Sequence, residues 1–497
     1  MDRRAVIASG LALPLLANAG PVLDVRDFGA RGDGKALDHD AVNRAIAEAA
    51  RRGGTVLVPA GRYLCFSIRL KSHVTLVLGE GAVIEAADPA IHAGAYDLPE
   101  PTGHDVYQDF GHSHWQNSLI WGDGLEDIRV LGPGTIHGVG LTRHGPGPRW
   151  LKAGSHPVSM AGMPRADMAT LEPARQRMNG QANKAIALRN CRRVTLDGFT
   201  VFKGGHFAIL ATGVRDLTVR NLVIDTDRDG IDVDACRDVT ITGCRVNSPN
   251  DDAIVLKASL SLGVREPCAN IRIKDCLVTG YDFGTLLDGT KARTQELAPD
   301  RDRVTGRIKI GTESNGDFRN ISIADCRFER CRGLALETVD GGVLEDVTVS
   351  NLTMHEVTTA PLFLRTGDRR RGPEGTGLGA IRGVTISNLT ATHIDPRYPA
   401  SIVGLPDSPI EDVKLSNVRL TYQGGGTAED AARIVPDARD SYPEPSMFGV
   451  LPAHGLYIRD ARNVVADHLD IATETPDARP AVIVERGENV RINREPR

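Results

Sequence analysis

The chain has no excess of positive charge: 59 lysines and arginines stand against 64 aspartates and glutamates, a net charge of −5. Nucleic-acid binders carry a basic footprint, so that class is set aside. Beyond the N-terminus there is no apolar run of the roughly 20 residues needed to cross a bilayer. The eight cysteines, at 65, 191, 236, 244, 268, 276, 326 and 331, show no CxxC or Cys/His spacing, which argues against a zinc site. Helical stretches alternating with strands, the mark of βαβ units, are missing too.

At the N-terminus, MDRRAVIASGLALPLLANAG places Arg3 and Arg4 before a short apolar run and a small-residue stop at Ala17-Asn18-Ala19. This pattern predicts an export signal over residues 1–19, of the twin-arginine kind, and a periplasmic or secreted destination.

Internal repetition is the dominant feature. The unit reads RRVTLDGFTV from Arg192, RDLTVRNLVI from Arg215, RDVTITGCRV from Arg237, ANIRIKDCLV from Ala269 and RNISIADCRF from Arg319. Copies continue from Glu345, Arg382, Glu411 and Arg462. Each alternates apolar and polar residues around a small or polar turn, which is strand periodicity. A second strand per repeat appears as KAIALRN, HFAILAT, GIDVDA, AIVLKA, GLALET and PLFLRT. Val194, Leu217 and Val239 are spaced by 23 and 22 residues, so one coil takes about two dozen. Such a unit cannot bury its apolar side alone and must stack on its neighbours.

The expected fold is therefore all-β: a right-handed parallel β-helix over residues 20–497, with an N-terminal cap and first rungs over 22–100. Asp40 is expected to cap a helix, AVNRAIAEAARR, that ends at Gly53 and covers the open end of the core. Cys191, Cys244, Cys276 and Cys326 are expected at equivalent places on successive rungs, as stacked buried thiols rather than disulfides.

The densest carboxylates of the repeat region lie between Asp227 and Ser259. Aligning GIDVD with AIVLK sets Asp229 against Asp252, one coil apart, with Asp251 beside it. Equivalent residues on adjacent rungs lie roughly 4.8 Å apart. Like charges this close raise at least one pKa, which a general acid requires. A single Asp before a strand is ordinarily a turn residue, but three in register point to chemistry. Asp232 and Asp234 are weaker candidates, and Asp234 aligns with Lys257 as a cross-rung ion pair. Glycosidic hydrolysis needs an acid for the leaving oxygen and a carboxylate to activate water. A calcium-dependent lyase is the alternative, because Ca²⁺ favours oxygen ligands and Lys257, Arg307 or Lys309 offers a base. The third reading is a non-enzymatic β-helix adhesin.

VRDFGARGDGKALDHDAVNRAIAEAARRGGTVLVPAGRY from Val25 and SLIWGDGLEDIRVLGPGTIHG from Ser118, together with the aspartate region, resemble glycoside hydrolase family 28. That is the polygalacturonase and rhamnogalacturonan hydrolase family, and the first segment looks like that of its bacterial members. The resemblance implies an inverting pectin glycosidase without metal or cofactor. Asp251 would be the general acid, Asp229 and Asp252 would hold the water, and the carboxyl groups would be about 6.5 to 9.5 Å apart. Of the family's Asn-Thr-Asp motif, at Asp227-Arg228-Asp229, only the last residue is kept. The family's histidine motif is expected after Cys276, where Tyr281 or Asp282 stands instead. Arg307-Ile308-Lys309 spells its basic motif, yet carrying the register forward sets that motif on Ala335 and Glu337. A neutral sugar beside the scissile bond would fit such a loss, or Arg365 and the Arg369 to Arg371 run would supply the charge.

Long loops at Gly103, from Gly138 to Gln181 and at Lys291 separate the rungs, and loops of that length are usually functional or disordered. Tyr107, Phe110 and Trp115 would either stack on sugar rings or anchor their loop. If such loops close one end of a groove, the action is at chain ends. The expected partner is a polysaccharide or oligosaccharide; the oligomeric state is left open.

Overall fold

A computed structural model describes residues 21–101, 107–108, 110–143, 178–369 and 371–494. The expected export signal and most of the loop from Gly138 lie outside the described residues. The chain winds as a right-handed parallel β-helix, and every pairing between named strands is parallel. Right-handed crossovers are the rule for such parallel connections.

Three columns of strands make the walls. The first includes Lys184–Arg189, Phe207–Thr212, Asp229–Asp234, Ile254–Ala258, Ile308–Ser314, Leu334–Thr338 and Leu362–Thr366. The second includes Arg192–Asp197, Arg215–Arg220, Arg237–Thr242, Cys268–Lys274 and Phe318–Ala324. The third consists of short strands such as Val223–Asp225 and Arg245–Asn247. Alternation sends one face of every strand into a continuous apolar core running from Val25 to Ile471. Ile209, Ile231, Ile254 and Ile308 stack in register along it. Truncating one such isoleucine to alanine costs about 2–5 kcal/mol.

The polar punctuation of the repeat has a backbone cause. The second residue of successive units, Arg193, Asp216, Asp238, Asn270 and Asn320, has φ between 53° and 60°, the left-handed conformation that asparagine and aspartate tolerate best. Asn221, Gly243, Asp275, Asp325 and Asn351 do the same at the next corner. Left-handed residues at these positions thus help turn each coil around the core.

Two local expectations are corrected. The helix spans His39–Arg52, so its N-cap is Asp38 rather than Asp40. The Asp38 carboxylate is engaged elsewhere, accepting from the Arg31 and Gly32 amides at 2.7 and 2.9 Å. Gly53 ends the helix at φ 62°, as expected, and Ala41, Val42, Ala45, Ile46 and Ala49 face the core. All eight cysteines are free and buried. Cys244, Cys276 and Cys326 precede paired strands and stack, but Cys191 stands at the preceding corner, in the column of Cys236 and Cys268.

Candidate active site

The outward face of the first column carries the expected aspartates. Ile231 pairs with Ile254 and Gly230 donates to the Asp252 carbonyl at 3.0 Å, which sets Asp229 opposite Asp252. Asp229, Asp251 and Asp252 each present an oxygen within 4.8 Å of the others. This is tighter than the separation inferred from inversion. Adjacent rungs are only about 4.8 Å apart, so spacing does not carry the stereochemical assignment.

The three carboxylates have different surroundings. Arg228 donates to Asp251 at 2.6 Å, and Arg307 Nε donates to Asp252 at 2.8 Å. Asp229 has no arginine; it accepts from Lys257 Nζ at 3.2 Å, and its Oδ1 has no hydrogen-bond partner among the described residues. Burial, then the charge of Asp251, pushes the Asp229 carboxyl well above its ordinary range against the pull of Lys257. Burial also acts on Asp251, but Arg228 and a hydrogen bond from Asp229 outweigh it and hold that carboxyl below the usual range. The surroundings of Asp229 thus favour its protonated form, and those of Asp251, expected as the acid, favour its charged form. Asp251 is the member open to the groove, with 27% of its side chain exposed against 5% and 9% for Asp229 and Asp252.

Lys257 is the hub of one half of the site. Its Nζ lies 2.5 Å from Asp232 and 2.6 Å from His112 Nε2, which accepts from the charged amine. Burial works against its charge, but Asp229, Asp232 and Glu313 together raise its pKa well above the ordinary value. Burial lifts Asp232 to about 6, against the pull of Lys257 and His112. Asp234 does align with Lys257 in register, but the expected ion pair does not form. Asp234 accepts instead from Ser259 and Ser261, and the lysine donates to Asp229 and Asp232.

Arg307 and Lys309 belong to the other half. Lys309 pairs in register with Ala335, so the basic pair occupies the rung after Asp252 and Ala335 the next. Lys309 lies 3.7 Å from Asp252 and 3.4 Å from Glu337. Arg307 also grips Glu444, which is shared with Arg332 at 3.1 Å. Glu337 is fully buried, and its carboxyl is pushed up to about 7 by burial, with Lys309 opposing. Asp229 Oδ1, Asp232 Oδ1, Glu337 Oε1 and Arg369 Nη1 are all buried without a hydrogen-bond partner among the described residues, and all surround this one site. Buried polar atoms left open in a cluster are what a polar ligand satisfies.

The remaining candidates fall elsewhere. Asp282 accepts from Thr294 and Gln295 and pins the long loop after it, while Tyr281 donates to Glu329 at 2.9 Å. The rung after Asp252 begins at Arg307, so these two do not occupy it. Arg365 is buried and donates to the carbonyls of Val403, Gly404, Asp437 and Ala438, a structural role. Arg369 and Arg371 reach Glu313 at 3.4 and 3.3 Å and so do border the site; Arg370 lies outside the described residues. Trp115 is buried, donating to Thr212 at 3.0 Å beneath Arg189, and Phe110 stacks on His114. Both anchor their loop and thereby deliver His112; Tyr107 is half-buried.

His112, Glu313 and Glu444 are absent from the sequence-based site. They come from outside the repeat or from its far strand end, where no register links them to the aspartates. Arg228 was visible as the odd residue of the Asp-Arg-Asp triplet, and its place beside a carboxylate was the available signal.

A parallel β-helix with three converging aspartates in a ring of buried cations is an arrangement able to support glycoside hydrolysis. Residues 22–255 match the family model described as rhamnogalacturonase A/epimerase, pectate lyase-like. The chain is 23% identical over 476 residues to a probable polygalacturonase of Vitis vinifera, covering 90% of this chain and 84% of that one. It is 23% identical over 441 residues to an exo-poly-alpha-D-galacturonosidase of Dickeya chrysanthemi, covering 80% and 71%. In fold it is similar to the family 28 exopolygalacturonase of Yersinia enterocolitica, with a TM-score of 0.65 at 19% identity over 96% of this chain and 79% of that one. The Thermotoga maritima exopolygalacturonase gives 0.60 at 20% identity, covering 91% of both chains. The chain thus resembles polygalacturonases in sequence over most of its length and shares the β-helix fold of exopolygalacturonases. Among the described residues no helix is long and apolar enough to cross a membrane.

Proposed function

We propose that this protein hydrolyses α-glycosidic bonds of a pectin-type polysaccharide containing uronate, acting from chain ends. The observation that carries the reading is the convergence of three aspartates in unequal surroundings, Asp251 and Asp252 each held by an arginine and Asp229 by a lysine. A proton held between Asp229 and Asp251 is available to the leaving oxygen through Asp251, the member that faces the groove. Asp252, fixed by Arg307, is the carboxylate that orients and deprotonates water. Inversion of the anomeric centre is carried over from the family resemblance.

Lys309 and Arg369, with one guanidinium nitrogen open, supply positive charge for a uronate carboxylate. Their presence favours polygalacturonate over a neutral flanking sugar. Chain-end action fits the 110–115 segment, which crosses over the sheet to set His112 against Lys257. It also fits the exo-acting relative, and an exported enzyme would meet such a polymer outside the cell.

Asp251→Asn, with fold verified by circular dichroism, is expected to reduce turnover of oligogalacturonate by at least about 10³-fold; near-normal turnover would sink the assignment. NMR of the first product reports the anomer, and a retained α-anomer would exclude inversion. The lyase reading predicts calcium among the same aspartates. Arg228, Lys257 and Arg307 already neutralise them, which disfavours a divalent cation there. Chelation is expected to leave the rate unchanged, with no ultraviolet-absorbing unsaturated product.

A further inference from the structure

A second groove lies on the same rungs, at the opposite end of the strands that carry the aspartates. Asp229 begins its strand and Ala235 follows the strand's end, six residues on, so the two sites are roughly 20 Å apart at about 3.3 Å per residue. On three successive rungs the corner between the first and second columns is tight: Asn190-Cys191, Gly213-Val214 and Ala235-Cys236. On the next rung the corner expands to residues 259–267, and this insertion folds over its neighbours as a wall. The enclosed groove measures about 520 Å³ and is lined by Arg192, Arg215, Arg237, Glu126, Glu266 and Leu262, among others.

Its charge is unbalanced. Arg192, Arg215 and Arg237 are register partners on adjacent rungs, which stacks three guanidinium stems at strand spacing. The outer two are neutralised: Arg192 by Glu126 and Arg237 by Glu266, each at 2.6 Å. Arg215, between them, is exposed and has no carboxylate within ion-pair distance among the described residues. Flanked by like charges, it gains from an external anion. Leu262 and Val264, the latter 54% exposed, offer an apolar edge beside it, as a sugar ring's C–H face requires.

We propose that this groove is a non-catalytic binding site for the uronate units of the polysaccharide substrate, with Arg215 gripping the carboxylate. The proposal rests on the hydrolase reading for its ligand. A site of this kind keeps the enzyme on a long polymer between cleavage events and is out of play for oligomers too short to span both positions.

The test uses the full chain carrying Asp251→Asn, so that the polymer survives, in native gels cast with polygalacturonate or with neutral galactan. Adding Arg215→Glu is expected to weaken polygalacturonate retardation about tenfold, as loss of a charge-assisted contact does, and Arg215→Lys is expected to retain most of it. In the otherwise unaltered chain, Arg215→Glu is expected to leave hydrolysis of a uronate trimer unchanged. Should Arg215→Glu fold poorly, Arg215→Gln replaces it in both assays. Equal retardation with and without Arg215, or a parallel loss of trimer hydrolysis, overturns the proposal. Absence of trimer hydrolysis in the unaltered chain strikes the hydrolase reading instead, and the retardation assay still reports on Arg215.

Discussion

Arg307 and Glu444 are 137 residues apart in the chain and form a buried ion pair, with Nη1 donating at 3.0 Å. The pair joins a rung of the solenoid to a loop that belongs to no rung. Through Arg307 it bears on Asp252, because one guanidinium holds both carboxylates. Glu444→Gln leaves Arg307 and Arg332 with a neutral partner, and breaking a buried pair costs about 3–5 kcal/mol. A lowered melting temperature and a fall in kcat larger than any change in KM are expected. Unchanged thermal unfolding would show that the pair contributes nothing.

Glu337 gives stability a pH dependence of definite sign. Burial raises its carboxyl to about 7 in the fold from 4.5. Between those values the folded chain holds a proton that the unfolded chain has released. Its contribution is fully present below about pH 4.5 and is lost as pH rises through about 7. Glu337→Gln should flatten the melting temperature across that window, measured by calorimetry against the parent; an unchanged slope would rule the group out.

The Asp229 carboxyl is also raised, so the proton needed for the acid step is lost only on the alkaline side of the ordinary carboxylate range. Removing the cation that opposes this shift, by Lys257→Met, should move the alkaline limb of kcat/KM to higher pH while lowering its maximum. A limb displaced toward acid would contradict the assigned direction.

Trp115 is an anchor rather than a sugar platform. Trp115→Ala removes a buried ring and its bond to Thr212, at a cost of about 3–5 kcal/mol. His112 loses its support with it. Trp115→Phe, which keeps most of the packing, is expected to restore stability and most of the activity. Sugar stacking would instead raise KM in both variants with stability intact.

At the corners, Asn320 has φ 53° and donates to the Asn270 side chain at 2.9 Å. Asn320→Val forces a β-branched residue into the left-handed region and should destabilise by about 1–2 kcal/mol in urea unfolding. Asn320→Gly should fall well short of that. Equal losses would mean that the side-chain ladder, not the backbone, sets the preference.

The coil, its rung length and the meeting of Asp229, Asp251 and Asp252 could be read from the sequence because each follows from local register. A shift of one residue would have turned Ile231 and Ile254 out of the core, so the apolar pattern fixes which carboxylates share a rung position. What register does not reach stayed hidden. His112 arrives on a segment held by buried aromatics, and Glu444 on a proline-bounded stretch without periodicity. Placing Arg307 and Lys309 on a rung met a related limit. The loop before Arg307 is long enough to hide a rung, and counting residues cannot tell a loop from a coil. Charge was the least legible quantity. Proximity of the aspartates was foreseen, but which of them keeps the proton depends on where Arg228 and Arg307 point.

The contrast between the tight corners and the wall at residues 259–267 reaches beyond one groove. Strand pairing continues in register on both sides of that wall, with Arg237 opposite Ala269 much as Arg215 is opposite Arg237. Corners of this solenoid are thus modular: segments can be exchanged there while the clustered carboxylates stay fixed. Diversification of such a scaffold is then a matter of what hangs from its edges, and an engineer could graft a new grip onto it without retuning the chemistry.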